Sequence, residues 1–260
     1  MKKLLFILLT LLAIKGFSQV GVNVFDPDSS VFENPITNEN ELITILSKTQ
    51  DLLTSYSWAI MVSEIASDNS RKGGDSMSDI FDLLMIDNFQ HTPANTVTQD
   101  IWNFLFAGYN RASFAYEKGV IIPNISPNLL AEALFLKAFY SYNLIEWFGH
   151  HPQIIEYNDA NNPLLSGSSI GERENLLQVI LSFLDEAISI TSNHGVSSSG
   201  RTAIDKNTML AFKAKTYMKF KQYAEANTII NEIIASGSYF LESNYQDIFD
   251  FRTSSSIFDI

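Results

Sequence analysis

The residues best suited to binding chemistry lie in one polar turn at positions 68–75. There Asp68, Asn69, Arg71 and Asp75 bring carboxylate, amide and guanidinium groups close together. Charged groups of this kind make strong, often paired hydrogen bonds and would suit the hydroxyl groups of a sugar. The same composition is typical of a solvated turn that ends a helix, so a purely structural interpretation stays open. A calcium loop is disfavoured, because Lys72 occupies a ligand position and the usual final Glu is absent.

A sugar site also needs an exposed aromatic ring, because the C–H face of a sugar packs on a ring while its hydroxyl groups seek polar partners. Phe89 and Tyr157 lie in less regular, polar segments, and we predict that these two rings face a ligand. Trp58 is a further candidate. Trp102 and Trp147 lie at helical spacing among apolar neighbours, a pattern that favours a place in the core.

The sequence contains none of the motifs that carry common enzyme chemistry. It has no G-x-S-x-G turn, no H-E-x-x-H pair and no phosphate-binding glycine loop. Glu132 and Glu146 lie about 21 Å apart along one predicted helix, too far apart to flank a glycosidic bond as a catalytic pair. His150 and His151 are adjacent and cannot share a metal ion from one helix face, and there is no cysteine. We therefore expect no catalysis, no metal ion and no cofactor.

The element that should position these residues is a helix predicted over 128–148. It is almost continuously apolar and contains no glycine or proline, which favours a helix buried on several sides. Pro127 suits the first helical turn, and Gly149 followed by Pro152 ends the helix. Two segments are predicted to be irregular: the one from the polar turn to Asn95, and the polar stretch from Pro152 to Gly171. The other predicted helices run from 39 to the polar turn and over 98–118, 172–191, 205–220 and 222–236.

The last two predicted helices carry the pattern of a tetratricopeptide hairpin at 208–236. Ala214, Tyr217, Ala226 and Ile230 match its small, aromatic, small and large positions in type and spacing. Small residues let two helices approach closely, while Tyr217 and Ile230 are predicted to fill the groove toward the neighbouring pair. The sequence therefore predicts an all-α protein, an irregular tetratricopeptide-like stack with long loops.

The N-terminal residues 1–18 have the form of a secretory signal peptide. Lys2 and Lys3 precede an apolar run that is too short to span a bilayer, and cleavage is predicted after Ser18. Without the three lysines of this segment, 14 basic residues stand against 29 acidic ones, a formal charge of −15. An exported protein with so acidic a surface repels nucleic acid and anionic lipid, and we exclude both as primary partners.

Four ordered segments resemble the SusD/RagB family. Residues 131–154 (AEALFLKAFYSYNLIEWFGHHPQI) are similar to its small-residue helix that runs into an aromatic pair, a glycine and a proline. Residues 202–249 resemble the tetratricopeptide-like unit that follows, and residues 63–75 and 102–112 agree with upstream pieces. Together they cover essentially the whole chain after the signal peptide.

This resemblance implies a non-catalytic, surface-exposed outer-membrane protein of Bacteroidota-type bacteria that captures glycans or other nutrients. It implies a partner, a TonB-dependent transporter of the SusC type over whose mouth the protein sits as a lid. In the family, loops after the first long helix contribute to the ligand face, which favours Asp68, Asn69, Arg71 and Asp75 as binding residues. An exported tetratricopeptide-like scaffold that binds a protein without sugar is the alternative, and a hydrolase is a weaker third.

The chain departs from the family pattern in two places. Family members usually carry a lipid-modified cysteine after the signal peptide, whereas the sequence here reads GFSQVGV. We therefore expect membrane association through the transporter rather than through a lipid anchor. The sequence also stops at SIFDI, where the family ordinarily continues for a comparable length. We expect residues 19–260 to be a SusD-like N-terminal helical domain that is incomplete at its C-terminal end.

Overall fold

The computed structural model describes residues 29–33, 35–73, 79–149, 151–157, 163–165, 173–192, 204–237 and 244–246. The predicted signal peptide, Asp75 and the C-terminal SIFDI segment lie outside these ranges. None of the helices within them is long and apolar enough to cross a lipid bilayer.

Helices dominate the described part of the chain and confirm the predicted all-α class. In chain order they are α1 (Glu39–Asp51), α2 (Tyr56–Ala66), α3 (Phe81–Asp87), α4 (Thr96–Gly119), α5 (Pro127–Phe148), α6 (Arg173–Ile190), α7 (Lys206–Lys219) and α8 (Tyr223–Ala235). Short 3-10 helices cover Ser29–Phe32 and Leu52–Ser55, and two antiparallel strands, β1 (Ile154–Tyr157) and β2 (Pro163–Leu165), follow α5. Helices that are consecutive in the chain pack together, as α4 with α5, α5 with α6 and α7 with α8, which makes a stack.

α5 is the central element because it is buried on two sides. It begins at Pro127 and ends at Gly149, whose φ of 83° lies in the region that glycine reaches without strain. One side faces a core shared with α1 to α4 and β1, and the other faces a core shared with α6 and α7. Each buried Leu, Ile or Phe side chain contributes about 1.5–3 kcal/mol. The predicted helix over 128–148 and its central place are both confirmed.

One aromatic contact locks α1, α4 and α5 together. The Tyr140 ring of α5 lies against Gly108 of α4, where an added Cβ would come within 2.4 Å of the ring. The Tyr140 hydroxyl donates to the Thr49 carbonyl of α1 at 2.7 Å, and Arg111 Nη1 of α4 donates to the Lys48 carbonyl at 3.0 Å. These donors satisfy carbonyls in the last turn of α1, where a helix runs out of its own partners.

Two stretches before α4 differ from the sequence-based predictions. The long helix expected before the polar turn is divided at Leu52–Ser55. There the Thr54 hydroxyl donates to the Asp51 carbonyl at 2.7 Å, and such side-chain bonds to the backbone compete with the α-helix. The segment expected to be irregular contains α3, whose seven residues are too few to show helical periodicity in a sequence.

The α7–α8 hairpin confirms the small positions of the predicted motif and corrects a large one. Ala214 and Ala226 are buried at the contact of the two helices. Ile230 is 37% exposed, however, and does not fill a groove. Ile229 is buried in its place with Leu210 and Ala214. Neighbouring residues on a helix point about 100° apart, so a register error of one residue exchanges an inward side chain for an outward one.

We predict that Gly108→Ala lowers the free energy of unfolding by about 1–3 kcal/mol, because the new methyl group would overlap the Tyr140 ring in a closely packed core. Urea denaturation followed by circular dichroism measures the change. Gly73→Ala is the matched control, since no atom lies within 4 Å of a Cβ at that position. Equal stability of the two variants would contradict the proposed tight contact of α4 and α5.

Candidate functional site

Most of the described candidate residues lie at the ends of two neighbouring helices, α2 and α3. Ser67 and the described part of the polar turn, residues 68–73, follow α2, and residues 88–90 follow α3. The two helices pack against each other. Lys72 Nζ lies 3.7 Å from Asp79 Oδ2, which connects the polar turn to the start of α3. We call residues 67–73 and 79–90 together the α2–α3 edge.

The polar turn is a helix ending that leaves its side chains in solvent. Asp68 has φ 61°, and its backbone N–H donates to the Ile65 carbonyl at 3.3 Å. The Ser70 N–H donates to the Glu64 carbonyl at 3.0 Å, at the end of the helix. Aspartate is one of the residues that tolerate this left-handed conformation. Asp68, Asn69 and Arg71 are all exposed, and Asp75 lies outside the described residues.

α3 ends at Phe89 in a turn that normally uses glycine. The Gln90 N–H donates to the Met85 carbonyl at 2.7 Å and the Phe89 N–H donates to the Ile86 carbonyl at 3.0 Å, which is the Schellman pattern. Phe89 occupies the left-handed position of this pattern, with φ 53°. A residue with a Cβ costs about 1–2 kcal/mol there. Its ring is nevertheless 65% exposed, so burial of the ring does not offset this cost.

The other end of α3 is strained as well. Ile80 precedes the helix with φ 37°, an unusual conformation for a β-branched residue. Its side chain and that of Phe81 are each 45% exposed. Backbone strain of this kind persists where surrounding structure enforces it, and it concentrates at functional sites. Ile80 and Phe81 are not among the residues predicted from the sequence, because the seven residues of α3 are too few to show helical periodicity.

α3 is held in place by the first turn of α4. The Asp82 carboxylate accepts hydrogen bonds from the Thr96 N–H at 2.8 Å and from the Thr96 hydroxyl, and these bonds hold the pKa of Asp82 below its usual value. The Asn95 amide donates to the Asp82 carbonyl at 2.9 Å, and its oxygen caps α4 by accepting from the Thr98 N–H. Leu83 and Ile86 form the buried side of α3. The exposed residues of the α2–α3 edge therefore stand on a well-anchored helix.

The structure places Tyr157 in the core, contrary to the prediction that it faces a ligand. It is buried, its hydroxyl oxygen lies 2.6 Å from both oxygens of Asn110, and its ring packs edge-on against Phe114. Ile154 and Tyr157 share the buried side of β1 although they are three residues apart. A register shift between Ile154 and Glu156 allows this, because a bulge changes the alternation of a strand.

The tryptophans differ in burial, and Trp102 and Trp147 pack against the core as their sequence surroundings predicted. Trp102 stacks on Phe106 and packs edge-on against Phe148, and Trp147 is partly buried against the same core. Trp58 on α2 is 44% exposed. Within the described ranges, no group of three or more His, Asp or Glu side chains is arranged to hold a metal ion. The α2–α3 edge carries exposed rings, Phe81 and Phe89, and exposed hydrogen-bonding groups, Asp68, Asn69 and Arg71, a combination that suits a polar ligand with apolar faces.

Comparisons with known proteins agree with the resemblance found in the sequence. A scan against protein-family models gives no match. Among curated proteins, the chain is 28% identical over 235 residues to the SusD-like protein P38 of Formosa agariphila, and the match covers 86% of this chain and 44% of that protein. The predicted similarity to SusD-like proteins is thereby confirmed.

Solved structures show a similar fold. Surface glycan-binding protein A from Bacteroides fluxus aligns with a TM-score of 0.65 and 22% identity, over 80% of this chain and 46% of that one. Surface glycan-binding protein A from Bacteroides thetaiotaomicron, in complex with laminarihexaose, aligns with a TM-score of 0.61 and 20% identity, over 85% of this chain and 47% of that one. The chain thus spans about half the length of these relatives.

We predict that Asp82→Ala loosens α3, because the hydrogen bonds from Thr96 are lost. Faster amide hydrogen exchange across α3 and a lower melting temperature at neutral pH are the expected results. Asp100→Ala, an exposed change in the next turn of α4, is the control and should leave exchange in α3 unchanged.

The Asp82 effect has a defined pH dependence. Its carboxyl has a lowered pKa in the folded protein, so its stabilising contribution is complete above the ordinary value of 3.8 and is lost as the pH falls through the folded value. The difference in melting temperature between wild type and Asp82→Ala should therefore shrink below pH 3.8. A difference that is constant down to the acid limit of folding would show that Asp82 does not act through its charge.

Proposed function

We propose that this chain is the helical part of a surface glycan-binding protein. It captures oligosaccharides, or another nutrient, for a TonB-dependent outer-membrane transporter of the SusC type and has no catalytic activity of its own. The protein is exported, exposed at the cell surface and held at the outer membrane through the transporter. Sequence similarity to a SusD-like protein and a fold shared with two surface glycan-binding proteins support the proposal.

The observation that carries the proposal at residue level is the exposed ring of Phe89. It is held by a strained helix end in which glycine would cost less, and burial does not account for the choice because Phe89 is 65% exposed. A ring in this position offers its face to the C–H groups of a sugar. Asp68, Asn69, Arg71 and Asp75 of the polar turn would hydrogen-bond the hydroxyl groups.

The spacing of these groups indicates the size of the ligand. Lys72 and Asp79 connect the polar turn to the start of α3, whereas Phe89 follows its end. Seven helical residues span about 10 Å. A ligand that contacts both the turn and Phe89 must therefore extend beyond a single sugar ring. We infer an oligosaccharide that lies along the α2–α3 edge.

Isothermal titration calorimetry of the full chain against an oligosaccharide panel, beginning with laminarihexaose, tests the proposed ligand class. Co-purification from native membranes tests the proposed partner. We expect saturable binding of an oligosaccharide, no consumption of it over time, and recovery of a β-barrel transporter with the chain. Failure of every saccharide to bind, together with the absence of the transporter from the purified material, would refute the proposal.

A substitution of Phe89 separates binding from stability. We predict that Phe89→Gly weakens oligosaccharide binding by about tenfold, equivalent to about 1.4 kcal/mol. The same change should raise the free energy of unfolding by about 0.5–1 kcal/mol. Glycine removes the left-handed strain, but the greater conformational entropy of glycine in the unfolded chain offsets part of this stabilisation. Calorimetry and urea denaturation measure the two effects.

Lys221 supplies a matched control for this substitution. It occupies the same position of a Schellman pattern after α7, with φ 61° and a hydrogen bond from the Gln222 N–H to the Tyr217 carbonyl at 2.9 Å. Lys221→Gly should raise stability by a similar amount and leave oligosaccharide binding unchanged. Weaker binding in both variants would mean that the loss at Phe89 is not local to the α2–α3 edge.

A protein-binding scaffold remains the second candidate because of one feature of α8. Tyr223, Ile230 and Ile234 are exposed on this helix at spacings of seven and four residues, which places them on one face. Exposed apolar faces of helical repeats commonly bind proteins. Affinity purification that retains peptides and no saccharide would favour this function over glycan capture.

A further inference from the structure

Lys137 has an unusual environment at the junction of α4, α5 and α6. Its Nζ lies 4.5 Å from the centre of the Phe183 ring of α6 and 5.8 Å from that of the Tyr109 ring of α4. The side chain is largely buried, and it makes no hydrogen bond or ion pair with any described residue. Aromatic faces attract a cation, but they replace water poorly as partners for an ammonium group.

The acidic groups near Lys137 are engaged elsewhere. The Glu186 carboxylate of α6 accepts a hydrogen bond from the Tyr116 hydroxyl group, and Glu117 Oε1 of α4 lies 3.4 Å from Lys118 Nζ. Both carboxylates favour the charged amine, but burial outweighs them and lowers the pKa of Lys137 to about 8. The phenols that face the site stay neutral, because burial raises the pKa values of Tyr109 and Tyr116 to about 12.

This environment makes the amine a nucleophile at physiological pH. With a pKa of about 8, about a quarter of the Lys137 side chains are uncharged at about pH 7.5, against about a thousandth for a lysine of ordinary pKa. Desolvated lysines of this type form Schiff bases with carbonyl compounds. Glu117 and Glu186 repel anionic reagents, and Lys137 keeps part of its surface exposed. The site therefore suits a small, uncharged carbonyl compound.

We propose that Lys137 is a preferred site of covalent modification by small aldehydes. The Nζ lone pair attacks the carbonyl carbon, and the first amine proton is transferred, through solvent, to the carbonyl oxygen to give a carbinolamine. Loss of the hydroxyl group as water, with the second amine proton released to solvent, forms a C=N bond. One amine and one aldehyde give one imine and one water, and no oxidation or reduction occurs. The inference concerns the α4–α6 junction and is independent of glycan binding at the α2–α3 edge.

Formaldehyde with cyanoborohydride, which traps the imine as a methylated amine, tests the proposal on the full chain. Peptide mass spectrometry follows Lys137 and, as the reference, exposed Lys221. At about pH 7.5 we expect Lys137 to react at least about threefold faster than Lys221. Its rate should level off above about pH 8, while that of Lys221 continues to rise. Slower modification of Lys137, or parallel pH profiles, would overturn the proposal.

Variants and unfolding identify the cause of the reactivity. Glu186→Gln removes a charge that favours the ammonium form, so the pH at which the Lys137 rate levels off should fall. Glu225→Gln, on the exposed side of α8, should leave it unchanged. In denaturant, Lys137 and Lys221 should react at equal rates. A rate difference that persists in the unfolded chain would assign the reactivity to local sequence and contradict the role of the three-helix junction.

Discussion

The packing of Tyr140 against Gly108 is the constraint on which the rest of the structure depends. Because Gly108 has no side chain, the Tyr140 ring of α5 lies directly against the backbone of α4, and a methyl group at position 108 would overlap the ring. The same ring carries its hydroxyl to the Thr49 carbonyl, which places α1 across the pair. Burial raises the pKa of Tyr140, so the hydroxyl remains a donor. A single side chain thus sets both the spacing of two helices and the position of a third.

The α2–α3 edge depends on this core through the start of α4. Because α4 is fixed by α5, the hydrogen bonds between Asp82 and Thr96 give α3 a rigid support. Strained positions at Ile80 and Phe89 are tolerated on such a support, since the hydrogen bonds that hold α3 outweigh a cost of about 1–2 kcal/mol at each. Hydrogen bonds from the Phe89 and Gln90 N–H groups to carbonyls of α3 fix the backbone from which the exposed Phe89 ring extends.

Lysines in this acidic chain serve different purposes according to depth. Lys213 pairs with Asp185 and Lys219 with Glu146, and these ion pairs connect α7 to α6 and α5 near the surface. Lys137 lies deeper and meets aromatic rings instead of carboxylates. The surface lysines contribute modestly to stability because water screens them. The deeper amine of Lys137 loses hydration, and its pKa falls for that reason.

The sequence by itself determined most of the helices, the central place of α5 and the small residues Ala214 and Ala226, because helical hydrogen bonds and side-chain periodicity act within about four residues. It also indicated the exposed polar turn and the exposure of Phe89. It did not show α3 or the division between α1 and α2. The tertiary structure decided what depends on distant partners. Tyr157 is buried through contacts with residues more than forty positions away, and Lys137 acquires its environment from two other helices. No local sequence pattern predicts these contacts, because they form only when elements far apart in the chain pack together.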